Sequence, residues 1–247
     1  MKRSIIEIKG LHKSYNSLQV LQGVDLDINR GETITILGGS GTGKSVLLKL
    51  ISGLEKPDQG AIRIDNRDIV PLKEDDLVPI RRKIGMLFQG SALFDSLSAG
   101  ENVAYPIREH FRMSEEQIER IVREKLRMVG LEGIENKMPA ELSGGMKKRV
   151  GLARAIAIDP KIILYDEPTT GLDPANTQRI NQLIIELQRI LKVTSIMVTH
   201  DLDSAYQVTD QLALLYRGRI AMKGTKEEFE SSTIQEVHDF INKKIVE

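Results

Sequence analysis

The stretch Gly38-Gly39-Ser40-Gly41-Thr42-Gly43-Lys44-Ser45 constrains the fold of this 247-residue chain more than any other feature of it. It fits the pattern G-x-x-x-x-G-K-[ST], follows a β-rich run at residues 32–37 and precedes a helical pattern at 44–53. The glycines let the backbone turn tightly, so that several N–H groups point at one anion. The following helix adds its positive N-terminal end. Lys44 is suited to the outer phosphates of a nucleotide, and the Ser45 hydroxyl to a Mg²⁺ ion. A strand, a glycine turn and a helix in this order belong to an α/β architecture.

The rest of the chain agrees with that architecture. Residues 4–30 read as β: Val24, Leu26 and Ile28 alternate with Asp25, Asp27 and Asn29, giving one buried and one wet face. Short strands are expected at 61–65, after the turn signal Pro57-Asp58-Gln59-Gly60, and at 83–88, ending at Gln89. A helix-rich stretch follows. Ser114 and Gln117 match a capping box, Ile118, Ile121, Val122, Leu126 and Val129 recur at helical spacing, and Gly130 is placed to end that helix. Another helix is expected at 144–158. Then come strand 161–166, helix 175–192, strand 194–199, helix 202–209 and strand 211–216, with a hairpin through Arg217-Gly218 to 219–222. Alternating strands and helices imply a mostly parallel sheet. The expected organisation is one domain over 1–247, with a helical insert at about 90–160 and a helical tail at about 226–247.

Ile162-Ile163-Leu164-Tyr165-Asp166-Glu167 is an apolar strand ending in two carboxylates. Such a strand delivers Asp166 to the sheet end where the phosphate loop is expected. Asp166 suits Mg²⁺. The next residue along a strand points to the other side, so Glu167 can do a different job and polarise an attacking water.

Composition removes several classes. Lys plus Arg (35) balances Asp plus Glu (35), so nothing favours nucleic-acid binding by bulk charge. Without cysteine there is no disulfide or thiolate metal site. The start of the chain has no stretch of signal-peptide character, and apolar runs such as 162–165 and 212–216 fall well short of the roughly 20 residues of a membrane-spanning helix. A role at a membrane would need other chains to cross it.

Taken together, these residues resemble the ABC ATPase family. Leu142-Ser143-Gly144-Gly145-Met146 is similar to the family signature LSGGQ, Gln89 to its Q-loop glutamine, Gly171-Leu172-Asp173-Pro174 to its D-loop and His200 to its switch histidine. Tyr15 matches the aromatic that stacks on adenine. The resemblance implies a P-loop NTPase (RecA-like) α/β core with a mostly parallel sheet, an antiparallel β subdomain and an inserted helical subdomain. It implies ATP and Mg²⁺ as ligands. Nucleotide contacts fall to Tyr15, Gly38, Gly39, Ser40, Gly41, Thr42, Gly43, Lys44, Ser45, Val46, Gln89, Ser143, Gly144 and Gly145, and metal contacts to Ser45, Gln89 and Asp166. Catalytic roles fall to Glu167, His200 and Lys44. His12, His110 and His238 read as ordinary surface or core residues. Two positions depart from the pattern. Met146 stands where glutamine is usual, but Ser143 and both glycines, which would meet phosphate, are kept. Val46 stands where threonine is common, and the hydroxyl that threonine would bring is not the expected Mg²⁺ ligand.

The resemblance further implies two ATPs sandwiched between two such subunits, each site completed by the partner's signature. Finer details look like the ATPases of MCE-type (Mla) systems, which move phospholipids between bacterial membranes: residues 39–46, Phe88-Gln89-Gly90-Ser91-Ala92-Leu93-Phe94-Asp95-Ser96 and Met146-Lys147-Lys148-Arg149-Val150. Implied partners are a second ATPase subunit, transmembrane permease subunits, an MCE-type lipid-binding subunit and a small cytoplasmic accessory protein, with the chain held at the cytoplasmic face of the inner membrane. The competing readings are an importer ATPase for a small polar solute, and a soluble ABC protein acting on DNA or ribosomes. In the tail, Thr233 and Glu236 are expected to form a capping box, with Ile234, Val237, Ile241 and Ile245 on one helical face, packed on the chain's own core or on a partner.

Overall fold

A computed structural model of the chain describes residues 3–242. It divides into two compact units, Met1–Arg81 with Thr194–Glu247, and Arg82–Val193. Strands and helices are numbered along the chain.

In the first unit, β1 (Ser4–Tyr15) and β2 (Leu18–Asn29) form an antiparallel pair. With β4 (Gln59–Ile64) and β5 (Arg67–Asp68) they make a four-stranded sheet in the order β2-β1-β4-β5. Val24, Leu26 and Ile28 are buried while Asp25 and Asp27 are exposed, as the alternation requires. The other sheet of this unit is built differently. Every residue of β3 (Thr33–Leu37) and β8 (Thr194–Thr199) is buried, and so are the four inner residues of β9 (Gln211–Tyr216). Continuous burial is what parallel strands covered on both faces show, and β3 pairs in parallel with β8 and with β9. β10 (Arg219–Gly224) returns antiparallel to β9 through Arg217 and Gly218, both at positive φ (46° and 74°). That is the geometry of a two-residue hairpin turn.

Helices α1 (Lys44–Ile51), α2 (Glu74–Arg81), α7 (Leu202–Val208), α8 (Lys226–Glu230) and α9 (Gln235–Ile241) complete this unit. The helical tail differs from its expected form. Thr233 does not cap a helix with Glu236; α9 starts later, with Ile234 at its N-cap and no side-chain cap bond. The Ser232 hydroxyl accepts the Ile234 N–H at 3.2 Å, a local turn that competes with a helical start at Thr233. The capping box lies earlier, where Thr225 and Glu228 open α8. Val237 is fully buried, Ile234 is exposed, and Ile245 lies outside the described residues.

In the second unit, β6 (Ile84–Leu87) and β7 (Ile162–Asp166) pair in parallel. Around them stand α3 (Ala99–His110), α4 (Glu115–Met128), a 3-10 turn at Pro139–Glu141, α5 (Gly144–Ala155) and α6 (Pro174–Leu191). The Ser114–Gln117 capping box forms as its sequence predicts, and a second, Ser98–Glu101, opens α3. Buried Asn102 in α3 accepts the Phe94 N–H at 2.8 Å and donates to the carbonyls of Phe94, Leu97 and Ser98. One side chain thus fixes the loop that precedes its own helix. Helix α5 ends at Ala155, three residues before the expected end at 158.

Candidate nucleotide site

The predicted site residues are shared between the two units. Tyr15, residues 38–46 and His200 belong to the first; Gln89, residues 143–145, Asp166 and Glu167 belong to the second.

In the first unit, strand register decides the arrangement. Leu37, the last residue of β3, is level with Thr199 of β8 and Leu214 of β9. Gly38 and His200 therefore leave the sheet side by side at its C-terminal edge, where open α/β sheets bind ligands. The loop then turns into α1 through Gly43, whose φ of +100° is disallowed for ordinary side chains. A Cβ at Gly43 would also lie 2.7 Å from Val20 Cγ1. Ser40 and Gly41 at the loop tip are exposed, whereas Lys44 is buried. Its Nζ donates to the Gly38 and Gly39 carbonyls at 2.9 and 2.8 Å. The ammonium is thus already held over the mouth of the loop, within reach of an anion seated on its N–H groups. Ser45 and Val46 in the first turn of α1 are half-buried. A cavity of about 470 Å³ opens beside residues 38–42, walled by the start of β2, by the β9–β10 turn and by Phe240 of α9. Tyr15 ends β1 and is 39% exposed. Burial, reinforced by a hydrogen bond to the Glu55 carboxylate, pushes its phenol up to about 12. A fixed, neutral, accessible ring is what base stacking requires.

In the second unit, Leu87 of β6 is level with Tyr165 of β7, so Gln89 and Glu167 emerge at the same height. Asp166 and Glu167 are both buried, 7% exposed each, and Gln89 is exposed. The structure corrects the reasoning for Glu167. The strand stops at Asp166, and Glu167 has φ +46°, so its side chain is aimed by a left-handed turn and not by strand alternation. Its carboxylate accepts from the Thr170 hydroxyl at 2.9 Å. Ser143 is the N-cap of α5, its hydroxyl accepting the Met146 N–H at 3.3 Å. Because that donor is backbone, methionine serves there as well as glutamine. Ser143 and Gly144 are exposed, leaving the positive end of α5 open to an anion. Gly145 is buried against α6, and a Cβ there would sit 2.6 Å from Asn176 Oδ1.

Helix α5 contributes more than its tip. Lys148 donates to the Gln89 and Glu167 carbonyls, Arg149 to the Val129 and Gly130 carbonyls, and Arg154 to those of Ser91 and Ala92. Burial pushes the Lys148 ammonium down against the pull of the Asp166 and Glu167 carboxylates. The sequence reading missed these cations as site-building groups. In the run Lys147-Lys148-Arg149 two of them look like solvated surface, and Arg154 lies outside every motif the sequence singles out. A larger cavity of about 920 Å³, between α3 and α4, carries none of the predicted site residues.

Oxygen donors of the kind Mg²⁺ takes are present: the Ser45 hydroxyl, the Gln89 amide and the Asp166 carboxylate at a strand end. Among the described residues no cluster of three or more His, Cys, Asp or Glu is placed to hold a metal by itself.

A parallel-sheet core with a glycine phosphate loop, a buried Asp-Glu pair and a helix-capping Ser-Gly-Gly defines a class, that of phosphate-loop ATPase cassettes. The chain belongs to the ABC transporter family, whose model matches residues 21–170, and it is an ATPase. It is 46% identical to the probable ribonucleotide transport ATP-binding protein mkl of Mycobacterium leprae, over 96% of this chain and 68% of that protein. It is 41% identical to the intermembrane phospholipid transport system ATP-binding protein MlaF of Haemophilus influenzae, over 98% of this chain and 91% of that protein. Its fold is similar to that of the ATP-binding cassette MJ0796, solved as a dimer in a post-hydrolysis state with ADP and Pi. The TM-score there is 0.84 at 37% identity, covering 89% of this chain and 98% of that one. Among the described residues no helix is long and apolar enough to cross a membrane.

Proposed function

We propose that this chain is the ATP-hydrolysing subunit of a transporter that moves phospholipid between bacterial membranes, acting as one half of a nucleotide-sandwich dimer at the cytoplasmic face of the inner membrane. The observation that carries the lipid reading is the end-to-end match to MlaF, over 98% of this chain and 91% of that protein. The second reading, a small polar solute, is favoured by the name of the mkl relative, of which this chain spans 68%. Transmembrane permease subunits provide the path in either case. An MCE-type lipid-binding subunit and a small accessory protein belong to the first reading only.

In this account residues 38–45 wrap the phosphates of ATP with backbone N–H groups, and Lys44 neutralises charge on the outer ones. Tyr15 stacks on the base. When bound, Mg²⁺ supplies further charge neutralisation on the phosphates, and Ser45, Gln89 and Asp166 are the residues that would hold it. Glu167 takes the proton of the attacking water and His200 contacts the outer phosphate. Ser143, Gly144 and Gly145 of one copy meet the ATP held by the other, so the nucleotide favours the closed dimer by its extra contacts there.

Glu167→Gln tests the chemistry: the variant is expected to bind Mg-ATP with near-normal affinity and to lose nearly all hydrolysis, and normal turnover would remove the residue's assigned role. Affinity purification of the chain from native membranes, with mass spectrometry of associated proteins and extracted lipid, tests the substrate. A permease with bound phospholipid is expected; a permease with a solute-binding protein would establish the second reading instead.

A further inference from the structure

The signature helix, the glutamine loop and the carboxylate pair are joined at one atom. The parallel pairing of β6 and β7 brings Gln89 and Glu167 out of the sheet at one height. Lys148, five residues beyond the Ser143 cap of α5, sends its Nζ into the space between them. The ammonium donates to the Gln89 carbonyl and, at 3.2 Å, to the Glu167 carbonyl. The side chain is 5% exposed, so its charge is spent inside the protein and not on solvent. Glu167 stands at φ +46°, a conformation a non-glycine residue keeps only when its surroundings hold it there. A charged donor on its carbonyl is such a hold, and a strong one, because hydrogen bonds from ionised donors exceed those between neutral groups.

We propose that Lys148 is a positioning residue for ATP hydrolysis: it locks the backbone at Glu167 in its left-handed turn and ties that turn and Gln89 to the signature helix. The inference rests on the reading of Glu167 as the base that takes the proton of water. The bond sits on the Glu167 backbone, so the direction of the carboxylate follows from the turn that Lys148 secures. Since α5 also carries Ser143 and Gly144 at its tip, a shift of that tip when a second copy docks is passed to Gln89 and Glu167 through the same ammonium. The residue thus links dimer closure to the aim of the base without touching the nucleotide.

The test measures kcat, KM and Mg-ATP affinity for Lys148→Met, Lys148→Gln and Lys148→Arg in the full chain, isolated or with its co-purifying membrane subunits. Misplacing a catalytic group by about 1 Å costs about 100-fold in rate, so Lys148→Met is expected to lose roughly that much kcat with nucleotide affinity unchanged. Lys148→Arg, which keeps charge and donors, is expected to recover part of it. If the methionine variant does not fold, Lys148→Gln, which can reach one carbonyl only, is expected to show an intermediate loss of kcat at unchanged affinity. Wild-type turnover in the methionine or glutamine variant would overturn the proposal. So would equal losses of affinity and kcat, which indicate a general structural role. Glu167→Gln, measured alongside, separates the two levels. If it is inactive while Lys148→Met is normal, only the lysine bridge is refuted; if it is active, the reading of Glu167 falls first.

Discussion

At the scale of single residues, buried side chains and close approaches decide what substitutions do. Lys44 holds its ammonium over the phosphate loop by bonds to Gly38 and Gly39. A charge-assisted hydrogen bond from that ammonium to a phosphate oxygen contributes about 1.5–3 kcal/mol, so Lys44→Ala is expected to weaken Mg-ATP binding by one to two orders of magnitude in equilibrium titration. Gly145 shows the opposite case, a residue kept small by its neighbour. A Cβ there would meet Asn176 Oδ1 at 2.6 Å, and overpacking of this kind costs about 1–3 kcal/mol. Gly145→Ala should lower the midpoint of urea unfolding, and adding Asn176→Ala should restore part of it. A double variant no better than the single one would show that the strain lies elsewhere. The residues proposed for the site could be picked out in the sequence because each sits in a short, ordered motif. The conformation of Glu167 was not. Strand alternation gave it a direction, but the strand ends one residue earlier, and nothing within the motif says so.

At the scale of elements, helix ends carry much of the local specification. Capping boxes with a hydroxyl N-cap form at Ser98–Glu101, Ser114–Gln117 and Thr225–Glu228. Loss of such a cap costs about 1 kcal/mol, so Ser114→Ala is expected to destabilise the fold by that amount in chemical denaturation without affecting nucleotide binding. The same ends respond to acid. The backbone N–H of Ser98 holds the Glu101 carboxyl below its ordinary range, Arg108 does so for Glu115, and the Asn176 N–H for Asp173. A carboxyl with a lowered folded-state value stabilises the fold above its unfolded value and loses that contribution as pH falls through the lowered one. The melting temperature is therefore expected to be level at neutral pH and to fall below about pH 4. Of these pairings only that of Glu115 has as its main partner a side chain that mutation removes outright, through Arg108→Gln; the other two rest first on backbone N–H groups. The failed box at Thr233 is instructive. Its spacing is as good as that of Ser114, yet Ser232 takes the local N–H and the burial of Val237 sets where α9 begins. Spacing proposes a helix start, and packing selects among the candidates.

At the scale of the whole molecule, the exposed Ser143-Gly144 tip and the exposed phosphate-loop tip are surfaces for a second copy in the proposed mechanism. Glu167→Gln with Mg-ATP is expected to double the mass seen by light scattering, and to return to the monomer when ATP is withheld. A monomer under both conditions would count against the sandwich. The apolar tail adds stability within its own unit: Val237 is fully buried, and burial of a side chain of this size is worth about 1.5–3 kcal/mol. Removing 233–247 is expected to lower stability by at least that amount in thermal unfolding.

The sequence by itself determined the alternation of strands and helices beyond residue 143, the phosphate loop, the buried parallel strands and the family, while α2 had no expected counterpart. Those features are written in spacings of a few residues, where periodicity, glycine conformation and local hydrogen bonds act before the chain closes on itself. The tertiary structure alone decided that Glu167 turns left-handed, that α9 starts late, and that Lys148 is a buried strut and not a surface lysine. The carbonyls that strut grips lie 59 and 19 residues from it along the chain. A contact of that kind exists only once two strands have paired and a helix has packed against them, and no local pattern records it.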